Sequence, residues 1–200
     1  MTEPTKLDKL HDRIWITERC HMNAEKRSRF LEIYFHIVLA LFALASICIS
    51  VVGDAQYVRF SESILSFTSI TTLCLSLLIF GFKFGETAAN HRSCYLSLQK
   101  LRGSAETDPH KLEEAYIKVL GHHPNHTTGD YMRLAISDIF EDEQSLMSPD
   151  GKKVRIGWWR RLSYALSWAL SRVLLVVFSI TPFFLVKYGI DFTSILNQQP

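Results

Sequence analysis

Two long stretches without a charged residue constrain this 200-residue chain more than any other feature. The first is IYFHIVLALFALASICISVVG, residues 33–53, and the second is SILSFTSITTLCLSLLIFGF, residues 63–82, which lies between Glu62 and Lys83. As a helix, each spans about 30 Å, the thickness of a bilayer's hydrocarbon core. Such runs also occur as buried helices of soluble proteins. Two full-length runs joined by a short loop favour a transmembrane helical hairpin.

A third apolar segment, residues 158–188, carries Arg172 near its middle. One interpretation is a third C-terminal membrane helix, placed at residues 162–188, in which Arg172 is buried and paired at a cost of at least about 2.5 kcal/mol. In the other, residues 158–171 lie flat at the interface and Arg172 extends to the headgroups. We expect this segment to insert, and the sequence leaves its depth open.

Basic residues are distributed unevenly around the apolar segments. Arg19, Lys26, Arg27 and Arg29 precede the first span, whereas the loop at residues 54–62 has only Arg59. Lys and Arg are again frequent between the second and third segments. Because cytoplasmic flanks are enriched in Lys and Arg, this distribution predicts the orientation of a multi-pass membrane protein. Its N-terminus and residues 83–161 are expected in the cytoplasm, and its hairpin loop outside.

The polar regions predict further helices, so the expected fold class is an all-α membrane protein with long cytoplasmic helical extensions. Residues 3–32 show apolar residues at helical spacing and contain nothing that would separate them from the first span. The extension after the second span is expected to lie antiparallel beside them. The predicted organisation is a domain at 1–145 (helices 3–32, 84–102, 109–120 and 128–145, spans 33–53 and 63–82), a linker at 146–161, the third segment at 162–188 and a tail at 189–200.

The stretch GHHPNHTTGDY, residues 121–131, holds three histidines and an aspartate and raises the question of a zinc site. Zinc needs four ligands, and no cysteine pair or H-E-x-x-H is present to complete a site. A helix corner accounts for the same residues. Gly121 suits a helix C-cap, Pro124 stops the helix, and Thr127 with Asp130 resembles a capping box. The corner is the preferred interpretation, with Asn125 and His126 expected to hydrogen-bond within it.

Charge and motif content exclude several function classes. The net charge is +2, and basic and acidic residues alternate outside the apolar runs, so no direct nucleic-acid site is indicated. Four scattered cysteines without a C-x-x-C pair are typical of a reduced compartment. No phosphate-binding loop, nucleophile elbow or metalloprotease motif occurs. We therefore expect neither an enzyme nor a cofactor.

Together, the two spans, the segment ETAANHRSCYLSLQKL (86–101) and the segment VLGHHPNHTTGDY (119–131) resemble the SLATT domain, a two-transmembrane effector domain of bacterial conflict systems. The most specific part is the helix-junction motif of Pro124, Asn125, His126, Asp130 and Tyr131. The third hydrophobic segment resembles the longer subfamily associated with defence reverse transcriptases. The resemblance implies a membrane effector of antiphage defence that forms a pore or disrupts the membrane. Its activator would be a partner, such as a reverse transcriptase or a source of a nucleotide signal. The family supplies no catalytic residues.

Small and hydroxylated residues line one side of each span: Ala43, Ser46 and Ser50 in the first, and Ser66, Ser69, Thr72 and Ser76 in the second. Close helix packing is one interpretation, and a water-filled path through a homo-oligomer is the other. Glu86 and Asn90 would then lie at the cytoplasmic mouth, or simply on a solvated helix face. The alternative function is a membrane anchor, surrounded by lipid, that recruits a cytoplasmic partner. The sequence does not separate these two functions.

Overall fold

A computed structural model describes residues 5–52, 58–140 and 157–196. These residues form six helices: α1 Lys6–Val52, α2 Val58–Phe82, α3 Phe84–Arg102, α4 Pro109–Gly121, α5 Thr128–Phe140 and α6 Trp158–Leu196. The described part of the chain contains no strand. Three helical stretches are long and apolar enough to cross a membrane: Lys6–Val51, Glu62–Arg102 and Trp158–Lys187. The predicted all-α membrane fold is confirmed.

The contacts divide the chain into two compact units. The polar unit comprises Met1–Phe30 and Phe84–Leu166, and the apolar unit comprises Leu31–Lys83 and Ser167–Pro200. Helix α1 runs without interruption for 47 residues and contributes to both units. No proline or glycine occurs within it, as expected from the sequence. Its continuity confirms that the N-terminal polar helix passes directly into the first apolar run.

The core of the polar unit forms where α1 meets α3 and α4. Leu10 and Ile14 of α1 pack with Cys94 and Leu98 of α3 and with apolar residues of α4. Glu18 contacts Gln99, whereas His21 contacts the earlier residue His91, so α1 and α3 run antiparallel. This is the arrangement expected for the two helical extensions.

In the apolar unit, α1 packs against α2 and α6. Phe42 is fully buried, lies in one cluster with Val38 and Leu75, and places its ring centroid 5.5 Å from that of Phe178 in α6. The Tyr34 hydroxyl donates to the Leu175 carbonyl at 2.6 Å. Buried residues on α1 follow the same alternating four- and three-residue spacing in both units, as in a coiled-coil seam: Leu10, Ile14, Thr17, His21, Ala24 and Ser28, then Val38, Phe42, Ala45 and Ile49.

A single residue, Lys83, separates α2 from α3. Its φ of 45° lies in the left-handed region. Its amide still donates to the Ile79 carbonyl at 3.2 Å, which completes the last turn of α2. A single left-handed residue of this kind ends a helix because it turns the chain off the helical path.

Helix α6 extends at both ends beyond the residues predicted for the third membrane segment. It begins at Trp158, inside the predicted linker, and ends at Leu196, inside the predicted tail. The Gly157 carbonyl accepts from the amides of Arg160 and Arg161, so helical bonding starts ahead of the apolar run. Helix α5 follows its prediction to Phe140, and residues 141–145 of that prediction lie outside the described residues. The hairpin loop falls largely outside them too.

Candidate functional site

The corner between α4 and α5 is built from two local caps. At the start of α4, Asp108 accepts from the His110 amide at 2.9 Å and Pro109 occupies the first turn. At the start of α5, the Asp130 carboxylate accepts from the Thr127 amide at 2.9 Å, and the Asp130 amide donates to the Thr127 hydroxyl at 3.4 Å. These reciprocal bonds confirm the predicted capping box.

The end of α4 corrects two details of the predicted corner. Gly121 is the last helical residue, and the C-cap is His122, with φ −100°. The amides of His122 and His123 bond three residues back, to Val119 and Leu120, which tightens the last turn without a left-handed glycine. Asn125 is exposed and has no side-chain hydrogen bond among the described residues. Asp130 takes the role assigned to it, because it accepts the free donors of the corner.

Asp130 also joins the corner to α1. Its side chain is 3% exposed and accepts from Arg27 Nε and Nη2 at 3.0 Å each, a bidentate ion pair. The Asn23 amide group donates to the Asp130 carbonyl at 3.2 Å. Burial raises the pKa of Asp130, but the hydrogen bonds from Arg27 and Thr127 outweigh burial and hold it below 3.8. The carboxylate is therefore charged and fully engaged at neutral pH.

Imidazoles from three parts of the polar unit meet beside this ion pair. His21 of α1 and His91 of α3 are almost fully buried, and their Nδ1 atoms lie 3.0 Å apart. The ring centroid of His126, from the corner, lies 5.5 Å from that of His21, edge to face. We call His21, His91 and His126 the histidine layer. His123 is half-buried, and its buried Nδ1 has no hydrogen-bond partner.

Burial determines the protonation of the histidine layer. Burial, together with the neighbouring imidazoles of His91, His126 and His123, lowers the pKa of His21 to about 4. Burial also lowers the pKa of His91 and His126, although the Asp130 charge acts in the opposite direction on both. The layer is therefore neutral at pH 7. Within the described residues, no group of three or more His, Cys, Asp or Glu side chains has the geometry to hold a metal ion.

A second polar contact lies one turn away on α1. Glu18 is 2% exposed, accepts from Gln99 Nε2 at 3.0 Å, and pairs with Arg102 Nε at 3.2 Å. The Arg102 contact has the distance of an ion pair but not the alignment of a hydrogen bond. Thr17, on the seam next to Glu18, shares a 2.9 Å hydrogen bond with the Tyr116 hydroxyl of α4. Polar contacts thus fix the register of α1 against both α3 and α4.

Sequence reasoning missed the partners of the predicted corner. Arg27 is 103 residues from Asp130, and His21 is 70 residues from His91, so no local pattern connects them. A signal was available for His21, because it continues the spacing of Leu10, Ile14 and Thr17. Tyr131 is half-buried and packs beside Cys20, and Pro124 is exposed.

In the apolar unit, the predicted hydroxyl stripe of α2 does not face the core of the chain. Ser66, Ser69 and Ser76 are exposed and Thr72 is half-buried, whereas Ile64, Thr68 and Leu75 form the buried face. The Thr72 hydroxyl donates to the Thr68 carbonyl at 2.7 Å. On α1, Ala43 and Ser46 are half-buried and Ser50 is exposed. Packing within one chain thus leaves the α2 stripe uncovered.

The remaining predicted residues lie apart from the histidine layer. Glu86 and Asn90 are exposed, one turn apart near the start of α3. In α6, the Arg172 guanidinium lies 5.4 Å from the centroid of the Trp168 ring, a cation–π contact, and the residue is half-buried.

Comparison with known families gives a match over most of the chain. The profile described as "SMODS and SLOG-associating 2TM effector domain family 5" matches residues 3–188. The matched region therefore runs past residue 145 and takes in the third apolar helix to residue 188. No curated protein and no solved structure matches the chain significantly. The match makes no reference to a reverse transcriptase.

Proposed function

The chain belongs to the SMODS and SLOG-associating 2TM effector domain family 5, and from this premise we propose a membrane effector of bacterial antiphage defence. Copies of the chain associate in the inner membrane and open a pore, or disrupt the bilayer, once a partner or nucleotide signal releases them. The result is growth arrest or death of the infected cell. The chain acts by changing membrane permeability and performs no catalysis.

The exposed hydroxyl stripe of α2 supports this proposal. Ser66, Ser69 and Ser76 are uncovered in the single chain, in a helix with the length and apolar composition of a span. Neighbouring helices in lipid pack closely through small residues, and hydroxyls that face a lumen hydrate a passing ion. One hairpin cannot enclose a path for ions. The stripe therefore acts only when several copies turn it toward a shared axis.

The proposed orientation places the N-terminus and the polar unit in the cytoplasm, where a released signal would act. Single cysteines at Gln56 and Ser104, in a chain without the four native cysteines, test this orientation in intact cells. Only the Gln56 position should react with an impermeant thiol reagent. Reaction at Ser104 without permeabilisation would reverse the orientation.

Membrane depolarisation after expression tests the function itself. The unrestrained protein should depolarise the inner membrane, and the double variant Ser69→Leu, Thr72→Leu should not, because leucine fills the lumen and removes both hydroxyls. Phe67→Leu with Ile70→Leu is the matched control. Both residues are exposed on the same two turns of α2, and their replacement by leucine removes no hydroxyl, so depolarisation should persist.

Oligomer size, measured in detergent, must be the same for the parent and both variants, so that lost packing is not mistaken for a blocked path. A parent that never depolarises membranes, even with its partner or signal present, would instead support the anchor that recruits a cytoplasmic partner. Equal depolarisation by the Ser69/Thr72 variant and the parent would remove the stripe from the mechanism.

A further inference from the structure

The histidine layer interrupts an otherwise continuous helix seam. In the polar unit, α1 buries Leu10, Ile14, Thr17, His21, Ala24 and Ser28 at alternating spacings of four and three residues. Such a seam is ordinarily apolar, and a polar residue in it lowers stability in exchange for specificity. Here α1 and α3 each contribute a buried imidazole at the same level, with the two Nδ1 atoms 3.0 Å apart. At this position of the seam, contact between α1 and α3 therefore depends on the protonation of His21 and His91.

The 3.0 Å contact fixes how many protons the pair can hold. One Nδ1 must carry a proton and donate, and the other must present its lone pair, so at least one of the two imidazoles is neutral. If both imidazoles are protonated, no acceptor remains and two cationic donors face each other. The pair must then separate, and because the two rings lie on different helices, α1 must move away from α3.

Among the described residues, the carboxylates close to the layer are already engaged by other side chains. Asp130 of α5 acts on His21, His91 and His126, but Arg27 of α1 already neutralises it in a bidentate pair. The Arg27 charge itself disfavours protonation of His91. Beside the seam on α1, the Glu18 carboxylate is engaged by Gln99 and Arg102 of α3.

On the remaining side, the corner contributes two more imidazoles, His123 and His126, both of which disfavour a charge on His21. A protonated His21–His91 pair would therefore be surrounded by two carboxylates that are already engaged, by two arginines and by further imidazoles. Burial and the neighbouring imidazoles thus favour the neutral form of the pair, and they outweigh the opposing charge of Asp130.

We propose that the histidine layer is a proton-binding site, and that acidification of the surrounding solution releases α1 from α3 and opens the polar unit. Opening follows from linkage. A histidine in the opened unit has a pKa near 6.5, whereas burial holds that of His21 at about 4 in the closed unit. The opened state therefore binds more protons at every pH between these values.

The contribution of the neutral histidines to the stability of the closed state is fully present above pH 6.5 and decreases as the pH falls toward 4. Each such histidine raises the opening equilibrium by about tenfold per pH unit in this window. The inference rests on the proposed function in one respect only, namely that the opened unit is the active form of the effector.

Two native cysteines report opening without any membrane measurement. Cys20 precedes His21 and Cys94 follows His91 by one turn, and both are fully buried. Burial raises the pKa of the Cys20 thiol to about 12 and that of Cys94 to about 11, so both are unreactive in the closed unit. Full-length protein with Cys48→Ala and Cys74→Ala retains only these two thiols.

The test measures reaction with dithiodipyridine in detergent from pH 7.5 to pH 5. At each pH the rate is divided by that of the denatured protein, which removes the intrinsic pH dependence of thiol chemistry. Protection of the parent should fall at least about tenfold per pH unit below pH 6.5. The double variant His21→Leu, His91→Leu restores an apolar seam and should keep its protection at pH 5. The controls His110→Leu and His122→Leu alter exposed histidines and should behave as the parent does.

A direct titration of the parent keeps the test decisive if the layer variant fails to fold. Histidine NMR signals of the closed protein should include imidazoles that stay neutral well below pH 6.5. Titration of all histidines near 6.5 with thiol protection unchanged to pH 5 would overturn the proposal, as would a parent slope retained in a folded His21→Leu, His91→Leu protein.

Depolarisation of vesicles at the same pH values separates this inference from the proposed function. Acid loss of protection without depolarisation would support the proton site and refute the link between the opened unit and pore activity. Depolarisation in acid with full protection would refute the proton site alone.

Discussion

The two units use one helix, α1, with the same buried spacing but fill the seam differently. In the polar unit the seam includes Thr17, His21 and Ser28, and in the apolar unit it is Val38, Phe42, Ala45 and Ile49. Among the side chains that the structure describes, Thr68 is the one buried polar residue of the apolar unit. Its hydroxyl bonds within its own helix, to the Leu65 carbonyl. In the polar unit, by contrast, bonds between helices are made by the buried side chains of Thr17, Glu18, His21, His91 and Asp130.

This difference follows from the surroundings of each unit. In water, burial of apolar surface supplies the driving force, so a core can include costly polar pairs that select one helix register. In lipid, the acyl chains are as apolar as leucine, so close packing must hold the helices together. A polar side chain there is safest when it bonds to its own backbone. Helix register in the polar unit is thus selected by pairs of polar side chains, whereas in the apolar unit it is selected by the fit of packed side chains.

A matched pair of leucine truncations should give the largest contrast. Leu112 in the polar unit and Leu75 in the apolar unit are 1% and 2% exposed. Leu112→Ala should lower the free energy of unfolding by about 2–5 kcal/mol. The variant loses the transfer free energy of the removed atoms and leaves a cavity in the core. Leu75→Ala should cost less than about 2 kcal/mol, because in lipid only packing is lost. Denaturant titration of the full-length protein in detergent measures both, and equal costs would remove the proposed distinction between the units.

Substitution of two capping aspartates, Asp108 and Asp130, should separate the stability contributed by a local cap from that contributed by a bond between helices. Asp108→Ala removes only a cap and should cost about 0.5–2 kcal/mol. Asp130→Ala also removes the bidentate bonds from Arg27 and should cost about 2–4 kcal/mol. Asp130→Asn, which keeps an acceptor but loses the charge, should fall between them.

The same series has a pH dependence of known sign. The pKa of Asp130 lies below 3.8 in the folded chain, so its contribution is fully present above pH 3.8 and is lost as the pH falls through the folded value. In the His21→Leu, His91→Leu background, which should not open in acid, the gap caused by Asp130→Asn should therefore be constant from pH 7 to 5 and close in stronger acid. Titrations at pH 7 and pH 5 that gave different gaps would contradict the assignment.

Sequence predicts the features that depend on neighbouring residues. Long uncharged runs predicted the apolar helices, the absence of proline and glycine predicted an unbroken α1, and Thr127 with Asp130 predicted a cap. The Arg27–Asp130 pair and the meeting of His21 with His91 could not be predicted, because the chain is brought together there by packing of distant helices. The exposure of the hydroxyl stripe of α2 could not be predicted either, because it depends on which face of α2 packs against the other helices.

Lys83 offers a smaller test of how the chain passes between the units. Helix α1 continues without a break, whereas α2 ends at a lysine with φ 45°. The left-handed conformation penalises any side chain but not glycine. Lys83→Gly should therefore be more stable than Lys83→Ala by about 1 kcal/mol. The alanine variant is the control, because it removes the same side-chain contacts and keeps the strained backbone. A more stable alanine variant would indicate that the residue continues a helix.

The smallest expected effect concerns the histidines of the corner that lie outside the histidine layer. His122 is exposed and bonds only locally, its Nδ1 lying 2.7 Å from the Lys118 carbonyl. His123 is half-buried with an unpartnered Nδ1, so its removal also removes a polar atom that burial penalises. His122→Ala with His123→Ala should therefore change the free energy of unfolding by less than about 0.5 kcal/mol. The double variant should also leave membrane insertion intact.

The purified parent protein should contain no stoichiometric zinc by elemental analysis. If these residues were ligands, zinc would co-purify and the double variant would lose both zinc and stability, because metal binding contributes directly to folding. That result would replace the helix corner with a metal centre.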